Sequence, residues 1–547
     1  MVRKVLPNAM FLSLYILALA AFLLLAPINL LDPANRPFII VIGTIGIWRY
    51  SWGLVHFGRA QYYKRCFFPR LRRRADALMA AAIDTGGASA GPDEAAVEPP
   101  SAESSVTAAA EEQSATDASG NVPDVYLLLS SFRQRAEITA VVFKAAIEEA
   151  CRYPGPVTLV AALVEMADQR FIKQIFYHLG PPDRVRLLFV RTPAHGKRHS
   201  LAVGLRAIAR SRPAPNALVT FVDGDTILTP GTLGRCVPFF EAMPEVGALT
   251  TDEDAVVHGG SVLQQWYRLR FAQRQMLMCS MGLSGRLLTL TGRMSMFRAA
   301  YAVEPSFIEN LATDSVDHWR IGRIPLLTGD DKSTWFWLLR HGQTMLYVPD
   351  VQVITVEEPP DERFLVASTR QMRRWFGNML RASSRAIGLG PRQIGLFAWW
   401  CLIDQRVSMW TPLLLPLSAV SLSFVAGPVI LYAYVGWVLS TRLIQALALL
   451  TVRPVIGGLY PLLIFYGQVY GSIIKTWILF HPYQQGWTRQ PMPVPGFEGG
   501  VGWWQSVVST YTYAVAILAL ITLVAFATGL LPLPSAATLT AAIGHLL

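Results

Sequence analysis

Three clusters, Asp223-Gly224-Asp225, Gly329-Asp330-Asp331-Lys332 and Gln371-Met372-Arg373-Arg374-Trp375, carry the residue types needed to move a sugar from a nucleotide diphosphate to a hydroxyl. An Asp-x-Asp closing an apolar strand, residues 218–222, brings carboxylate oxygens to a hard divalent cation, which neutralises a diphosphate. Asp225 is the expected ligand for Mg2+ or Mn2+. Asp223 either shares the metal or orients the nucleotide. The second acidic pair supplies a general base for the attacking hydroxyl, and Gln-x-x-Arg-Trp offers a donor, a cation and an aromatic platform. Asp-x-Asp alone is common in loops, so the weight rests on the ordered trio. Gly196-Lys197-Arg198 starts a predicted helix just before the Asp-x-Asp, where Lys197 either reaches phosphate or sits in a solvated first turn.

Positioning these groups requires a domain whose strand ends gather at one edge. Strand patterns at residues 125–129, 157–163, 185–190 and 218–222 alternate with helical patterns at 136–151 and 200–210. That alternation predicts an α/β, Rossmann-like domain over residues 123–389 with a parallel sheet. Asp223 falls where the fourth strand ends, and Gly224 lets the backbone turn sharply there.

The chain has 547 residues, 52% of them hydrophobic, and a net charge of +11, enough for this domain and several membrane spans. Residues 10–28 and 38–57 read as two spans within an N-terminal region of residues 1–60. No small-x-small site separates them as a cleavable signal would require. Lys64, Arg65, Arg70, Arg72, Arg73 and Arg74 follow, a basic flank that places the next domain in the cytosol. Within residues 61–122, the stretch from about 80 is acidic, rich in Ala, Ser, Pro and Gly, and is expected to be a disordered linker. Residues 390–480 hold interface and transmembrane helices, 481–503 a loop, and 504–547 a last span. If that loop is cytosolic, an even number of the preceding stretches crosses, which favours interface helices at 396–409 and 456–480 and five spans in all. Arg49, Arg406, Arg442 and Lys475 lie in or beside these segments, where a cation requires a partner, a watery path or snorkelling to headgroups.

The trio resembles that of processive, membrane-embedded family 2 glycosyltransferases, the group of cellulose, chitin and hyaluronan synthases. Longer blocks are similar to the bacterial alginate polymerases, the mannuronan synthase subunits: Gly46-Ile47-Trp48-Arg49-Tyr50-Ser51-Trp52-Gly53, Arg270-Phe271-Ala272-Gln273-Arg274, Leu290-Thr291-Gly292-Arg293-Met294-Ser295, Asp404-Gln405-Arg406-Val407-Ser408-Met409-Trp410 and Trp487-Thr488-Arg489-Gln490. The resemblance implies a glycosyltransferase A-type domain and an inverting enzyme of the bacterial inner membrane. It would polymerise GDP-mannuronic acid into β-1,4-polymannuronate and pass the chain across. Asp331 is then the base and Asp330 the residue holding the loop or acceptor, with the reverse assignment left open. Gln371, Arg374 and Trp375 form the acceptor end, with Trp375 under the terminal sugar. Trp487 and Arg489 belong to a gating loop that closes on the nucleotide. Lys332 reads either as a contact to the donor's phosphate or carboxylate or as an exposed cation at a helix start. Relatives carry an Asp pair after the second strand, and here Glu165-Met166-Ala167-Asp168 stands instead, so the nucleotide-contacting acid is Glu165 or Asp168. Implied partners are a PilZ-domain, cyclic-di-GMP-binding co-polymerase subunit, periplasmic export and modification proteins and membrane lipid, with no nucleic acid.

Two rival readings remain. A synthase of a neutral or amino-sugar β-linked polymer would keep Asp225, Asp331 and Trp375. A transporter without catalysis would explain the spans but would have no use for the acidic trio. Cys66, Cys151, Cys236, Cys279 and Cys401 show no metal-ligand spacing, and neither disulfides nor zinc are expected.

Overall fold

The computed structural model describes residues 2–25, 36–88, 122–131, 134–193, 195–324, 328–484 and 502–532. Its strands are β1 (Val125–Ser131), β2 (Val157–Leu163), β3 (Val185–Arg191), β4 (Leu218–Asp223), β5 (Thr226–Ile227), β6 (Val246–Val257), β7 (Met294–Arg298), β8 (Val316–His318), β9 (Gly322–Ile324) and β10 (Thr344–Glu357). The main sheet has eight strands in the order β3-β2-β1-β4-β7-β6-β10-β5, and β8 and β9 form a separate hairpin. β1 and β2 are buried on both faces, which is why they read as unbroken apolar runs.

The helices that matter here are α1 (Val2–Leu24), α2 (Arg36–Tyr62), α3 (Phe68–Ala88), α4 (Ala136–Arg152), α5 (Met166–Leu179), α6 (Lys197–Arg210), α7 (Ser261–Gly282), α8 (Asp330–Arg340), α9 (Phe364–Gly388), α10 (Leu396–Val407), α11 (Thr411–Ala426), α12 (Val429–Ala448), α13 (Tyr460–Phe480) and α14 (Trp503–Ala527).

The four expected strands are present, and β1 to β4 are parallel. Beyond β4 the expectation of a parallel sheet fails, because β7 runs antiparallel to both β4 and β6, and β5 antiparallel to β10. An antiparallel neighbour needs no crossover helix, so the alternating pattern could not announce it. The insertion of β7 has a consequence for the site. It lays the turn before Met294 against the end of β4, where the Asp223 amide donates to the Arg293 carbonyl at 3.1 Å.

α2 and α3 dock onto this domain, whereas α1 packs on α12. A π-helical turn, Tyr63–Phe67, joins α2 to α3 and buries Tyr63, whose hydroxyl donates to the Tyr347 carbonyl at 2.5 Å. A Cβ at Gly282 would stand 2.6 Å from that tyrosine ring, so glycine there permits the close approach. Arg72, read from sequence as part of the basic flank, instead turns inward. Its guanidinium grips Asp350 at 2.7 and 2.9 Å and lies 4.4 Å from the Phe239 ring. Residues 80–88, expected in the linker, continue α3 as helix.

Among the described residues three helices are long and apolar enough to cross a membrane, Val429–Thr451, Tyr460–Phe480 and Trp503–Ala527, or four if the bent pair α10–α11 is one span. The bend is 42°, and Pro412 at the first turn of α11 fits a fresh helix start. α11 ends at Gly427, whose φ of 92° is left-handed, and Pro428 follows. α13, expected along the interface, thus has the length and composition of a span.

Candidate active site

The three clusters meet in one cavity of about 550 Å³, lined among others by Lys197, Asp223, Asp225, Asp330, Asp331, Lys332, Arg374 and Trp375. Their convergence is sharpest around Gly292. A Cβ there would stand 3.6 Å from Lys197 Nζ, 3.7 Å from Asp223 Oδ2 and 3.9 Å from Asp331 Cβ. β4 delivers Asp223, the start of α6 delivers Lys197, and the start of α8 delivers Asp330 and Asp331. Gly224 is needed for proximity rather than for an unusual dihedral. A Cβ on it would meet the Ser130 carbonyl at 2.5 Å.

Lys197 bridges Asp223 Oδ1 at 2.5 Å and Asp330 Oδ2 at 2.7 Å. Burial alone would lower its pKa, but the two carboxylates outweigh that and raise it, so it stays charged. Burial pushes the Asp223 carboxyl up to about 6, opposed by Lys197 and reinforced by Asp225 and Asp330. Asp330 shows the opposite balance. Burial raises it, but the Lys197 ammonium prevails and holds it below the ordinary range. Asp331 is raised, first by burial and then by the charge of Asp330. Adjacent carboxylates are therefore pushed apart, one kept anionic by a lysine and the other more basic, the usual arrangement for dividing structural and proton-accepting roles.

Lys332 lines the cavity instead of being an exposed helix-start cation. Its ammonium donates to the Leu288 carbonyl at 3.0 Å, and burial brings its pKa down to about 8. Arg198, its neighbour in sequence to Lys197, is core. It is buried and donates to the Leu311 carbonyl at 2.7 Å and the Ser333 hydroxyl at 2.8 Å.

On α9, Trp375 and Arg374 line the cavity, and Trp375 stacks on Trp266 with centroids 5.5 Å apart. Gln371 does not line it. Its side chain is buried and donates to the Tyr267 hydroxyl at 2.7 Å, and Tyr267 meets Trp375 edge-on at 6.0 Å. The glutamine thus meets Trp375 only through the Tyr267 ring. Glu165 is exposed at the N-cap of α5 and lies outside the cavity lining, as does Asp168. Trp487 and Arg489 lie outside the described residues.

Sequence reasoning missed a charged group on the cavity wall. Glu253 accepts from Arg293 at 2.7 Å and from the Thr291 hydroxyl at 3.0 Å and pairs with Arg274, while Arg293 also holds Glu357 at 2.6 Å. Burial raises the Glu253 carboxyl, but Arg274 and Arg293 bring it down to about 2, so it is ionised throughout the physiological range. The available signal was the acidic run Asp252-Glu253-Asp254 in the largely buried β6. A charge in a buried strand must have partners.

Residues 123–378 match the family model described as glycosyltransferase like family 2. The chain is 41% identical over 499 residues to glycosyltransferase alg8 of Pseudomonas syringae pv. tomato, covering 90% of this chain and 94% of that protein. It is 39% identical over 520 residues to glycosyltransferase alg8 of Azotobacter vinelandii, covering 94% of this chain and 96% of that one. The chain belongs to the alg8 glycosyltransferases. The resemblance to alginate polymerases read from the sequence blocks therefore extends over nearly the whole chain, and the cavity is that of a glycosyltransferase of alginate synthesis. Its catalytic domain has the glycosyltransferase A-type fold. Among solved structures the enzyme is similar to a mannosyltransferase from Pyrobaculum calidifontis in complex with GDP-Man and Mn2+, at 17% identity and a TM-score of 0.38, covering 74% of this chain and 98% of that one.

A divalent cation fits the donor set on chemical grounds. Asp223 and Asp225 present hard oxygen ligands, and a cation would offset the burial and neighbouring carboxylate charge that raise Asp223. Among the described residues no group of three or more acidic, His or Cys side chains forms a ready-made cage. A cation held here would complete its shell with phosphate oxygens and water, the habit of Mg2+ at nucleotide sites.

Proposed function

We propose that the enzyme transfers mannuronic acid from GDP-mannuronate to the end of a growing β-1,4-polymannuronate with inversion, and passes the chain across the inner membrane from a cytosolic active site. The observation that carries this reading is the single cavity shared by Asp225, Asp331 and Trp375. An inverting single displacement needs a base at the acceptor hydroxyl and no covalent nucleophile. Asp331, more basic than an ordinary aspartate, accepts that proton as the oxygen attacks the anomeric carbon. Asp330, fixed by Lys197, holds the loop. Trp375 carries the terminal sugar on its face, with Trp266 behind it. Asp225 and Asp223 are the residues that would hold Mg2+ or Mn2+, which would supply charge neutralisation for the departing diphosphate. Arg489, from the loop at 481–503, adds a guanidinium fork to the phosphates.

Topology follows from the need to keep that loop on the nucleotide side. With the domain cytosolic, an even number of helices crosses before that loop. α12 and α13 have the length and composition to do so, whereas α10 and α11, 12 and 16 residues or about 18 and 24 Å long, are each short of a hydrocarbon core of about 30 Å. α13 packs onto α9, where a Cβ at Gly471 would stand 3.5 Å from Phe376. A PilZ-domain, cyclic-di-GMP-binding subunit and periplasmic export and modification proteins complete the assembly.

The test is polymerisation of radiolabelled GDP-mannuronate in membranes containing the enzyme, the PilZ-domain subunit and Mg2+ or Mn2+. A product degraded by mannuronate lyase is expected. Efficient incorporation from UDP-glucose or UDP-N-acetylglucosamine, with none from GDP-mannuronate, would overturn the donor assignment.

A further inference from the structure

Of the four membrane-region cations marked in the sequence, three find partners in the protein. Arg49 pairs with Asp404 at 2.5 Å, Arg442 donates to the Tyr50 hydroxyl at 2.6 Å, and Arg406 donates to the Leu380 carbonyl and to the Ser383 hydroxyl at 3.2 Å. Lys475 is different. Its ammonium lies 4.6 Å from the centroid of the Phe376 ring, and the Arg270 guanidinium lies 5.7 Å from the same ring. Among the described residues neither cation has a hydrogen bond or a carboxylate partner.

The neighbouring acids are already engaged, Glu253 by Arg274 and Arg293 and Asp404 by Arg49. Two cations converging on one ring repel each other, and even half-buried each lacks an anion to offset the lost hydration. The ring does not account for them, since cation–π attraction contributes only about 0.5–2 kcal/mol. Their position matters more. Arg270 and Phe376 line the cavity, Lys475 stands beside the Phe376 ring without lining it, and Phe376 follows Trp375 directly in α9. On the same wall Gln405 presents a buried Oε1 that has no hydrogen-bond partner among the described residues. Two unpaired cations and a vacant amide acceptor beside an aromatic platform suit a sugar that carries a carboxylate and hydroxyls.

We propose that Arg270, with Lys475 beside the same Phe376 ring adding its charge, forms a carboxylate-recognition site for the uronate chain at the acceptor end of the cavity, which makes them specificity-determining residues for an anionic polymer. This deepens the mannuronate reading and rests on it. The chain's carboxylate supplies the missing counter-charge, and Gln405 accepts from a ring hydroxyl. A neutral chain of the same linkage leaves both cations unpaired and is rejected by that penalty, as a site built for a charged partner rejects its neutral analogue.

The experiment compares binding of a β-1,4-tetramannuronate and β-1,4-mannotetraose, its carboxyl-reduced counterpart, to the detergent-solubilised full-length enzyme with its PilZ-domain subunit. The parent is expected to prefer the uronate. Arg270→Gln and Lys475→Gln should each lower that preference about tenfold, with mannotetraose affinity and GDP affinity held. Arg270→Lys should retain most of the preference, because charge rather than ring support is the determinant. If Arg270 only props Phe376, or Lys475 only snorkels, the uronate-to-neutral ratio of the glutamine variants will equal the parent's, and the inference is overturned. Equal binding of the two tetrasaccharides by the parent overturns it as well. Failure of the parent to polymerise GDP-mannuronate is a separate result that refutes the donor assignment, since tetrasaccharide preference is read without turnover.

Discussion

Asp314→Ala should loosen the catalytic pair without touching the cavity. The Asp314 side chain is 4% exposed and accepts from both Arg385 nitrogens, at 2.5 and 2.8 Å, and from the Ser333 hydroxyl. Ser333 is in α8, whose first residues are Asp330 and Asp331, while Arg385 is in α9 with Trp375. The carboxylate therefore fixes the base relative to the acceptor platform. Removing one member of a buried pair costs about 3–5 kcal/mol. Arg385 keeps its stack on Phe336 at 4.2 Å and a long contact to the Ser315 carbonyl, which puts the expected loss near the lower end. For a domain of this size about 3 kcal/mol lowers the melting temperature by about 6–12 °C. Asp314→Asn, which keeps the volume and one acceptor, should lose about 2 kcal/mol. Because misplacement of a reacting group by about 1 Å costs on the order of 100-fold, turnover should fall while GDP-sugar affinity holds. Melting of the solubilised enzyme and single-turnover transfer are measured for Asp314→Ala, Arg385→Met and the double variant. The double should be no worse than the worse single by more than about 1 kcal/mol. Strictly additive losses, or a loss of donor affinity at unchanged turnover, would refute the reasoning.

The remaining expectations address the cavity directly. Asp331→Asn should lower polymerisation by about 10²–10⁴ with GDP-sugar binding intact, and the parent's rate should fall on acidification while carboxyls of ordinary pKa are still ionised; near-parental turnover of the variant removes Asp331 as base. Asp225→Asn should weaken donor binding as a chelator does, with no further effect of chelator on the variant; a variant still fully chelator-sensitive speaks against Asp225 as ligand. Gly292→Ala should be tolerated, since its methyl meets Lys197 and Asp223 at ordinary contact distances, whereas Gly292→Val must displace Lys197 and should abolish donor binding in a protein that still melts cooperatively. Trp375→Ala should shorten the polymer while the donor is still bound, and parental chain lengths would show that the stack on Trp266 is only core packing.

The three clusters that share the cavity and the first four strands were legible because each leaves a local signal: acidic residues at a strand end, apolar runs, a Gly before a helix. Antiparallel β7 was not legible, since its place between β4 and β6 is a tertiary choice that leaves no mark in the spacing of five residues. Arg72 was misread for a related reason. A basic residue near a membrane helix has the same sequence context whether it faces headgroups or Asp350. The break at Gly427-Pro428 was signalled by residue type yet hidden in a continuous apolar stretch within residues 390–480. Gln371 shows the limit of motif reasoning. Its spacing to Trp375 is right for the family, but its side chain serves Tyr267 and influences the platform only through that ring.

These contacts explain why the third motif sits on a long helix instead of a loop. α9 presents Trp375 to the cavity and at the same time fixes the base loop twice, through Arg385 to Asp314 and through Asn378, which accepts from the Thr328 hydroxyl at 2.9 Å. A Cβ at Gly329 would approach Asn378 to 3.0 Å, so glycine there lets the loop close against the helix. Arg381, one turn on from Asn378, donates to Asn378 Oδ1 at 2.7 Å and to the Pro482 carbonyl at 2.9 Å, where the chain enters residues 481–503. One rigid helix thus holds the acceptor platform, the base and the root of the loop expected over the nucleotide in a common frame. Helical side chains at i, i+3 and i+4 share a face, so Gln371, Trp375 and Asn378 maintain their relative placement even if α9 shifts as a whole. A flexible segment carrying the same residues would give each of these contacts a separate freedom, and near-attack geometry between base and acceptor would be lost at the cost noted for Asp314→Ala.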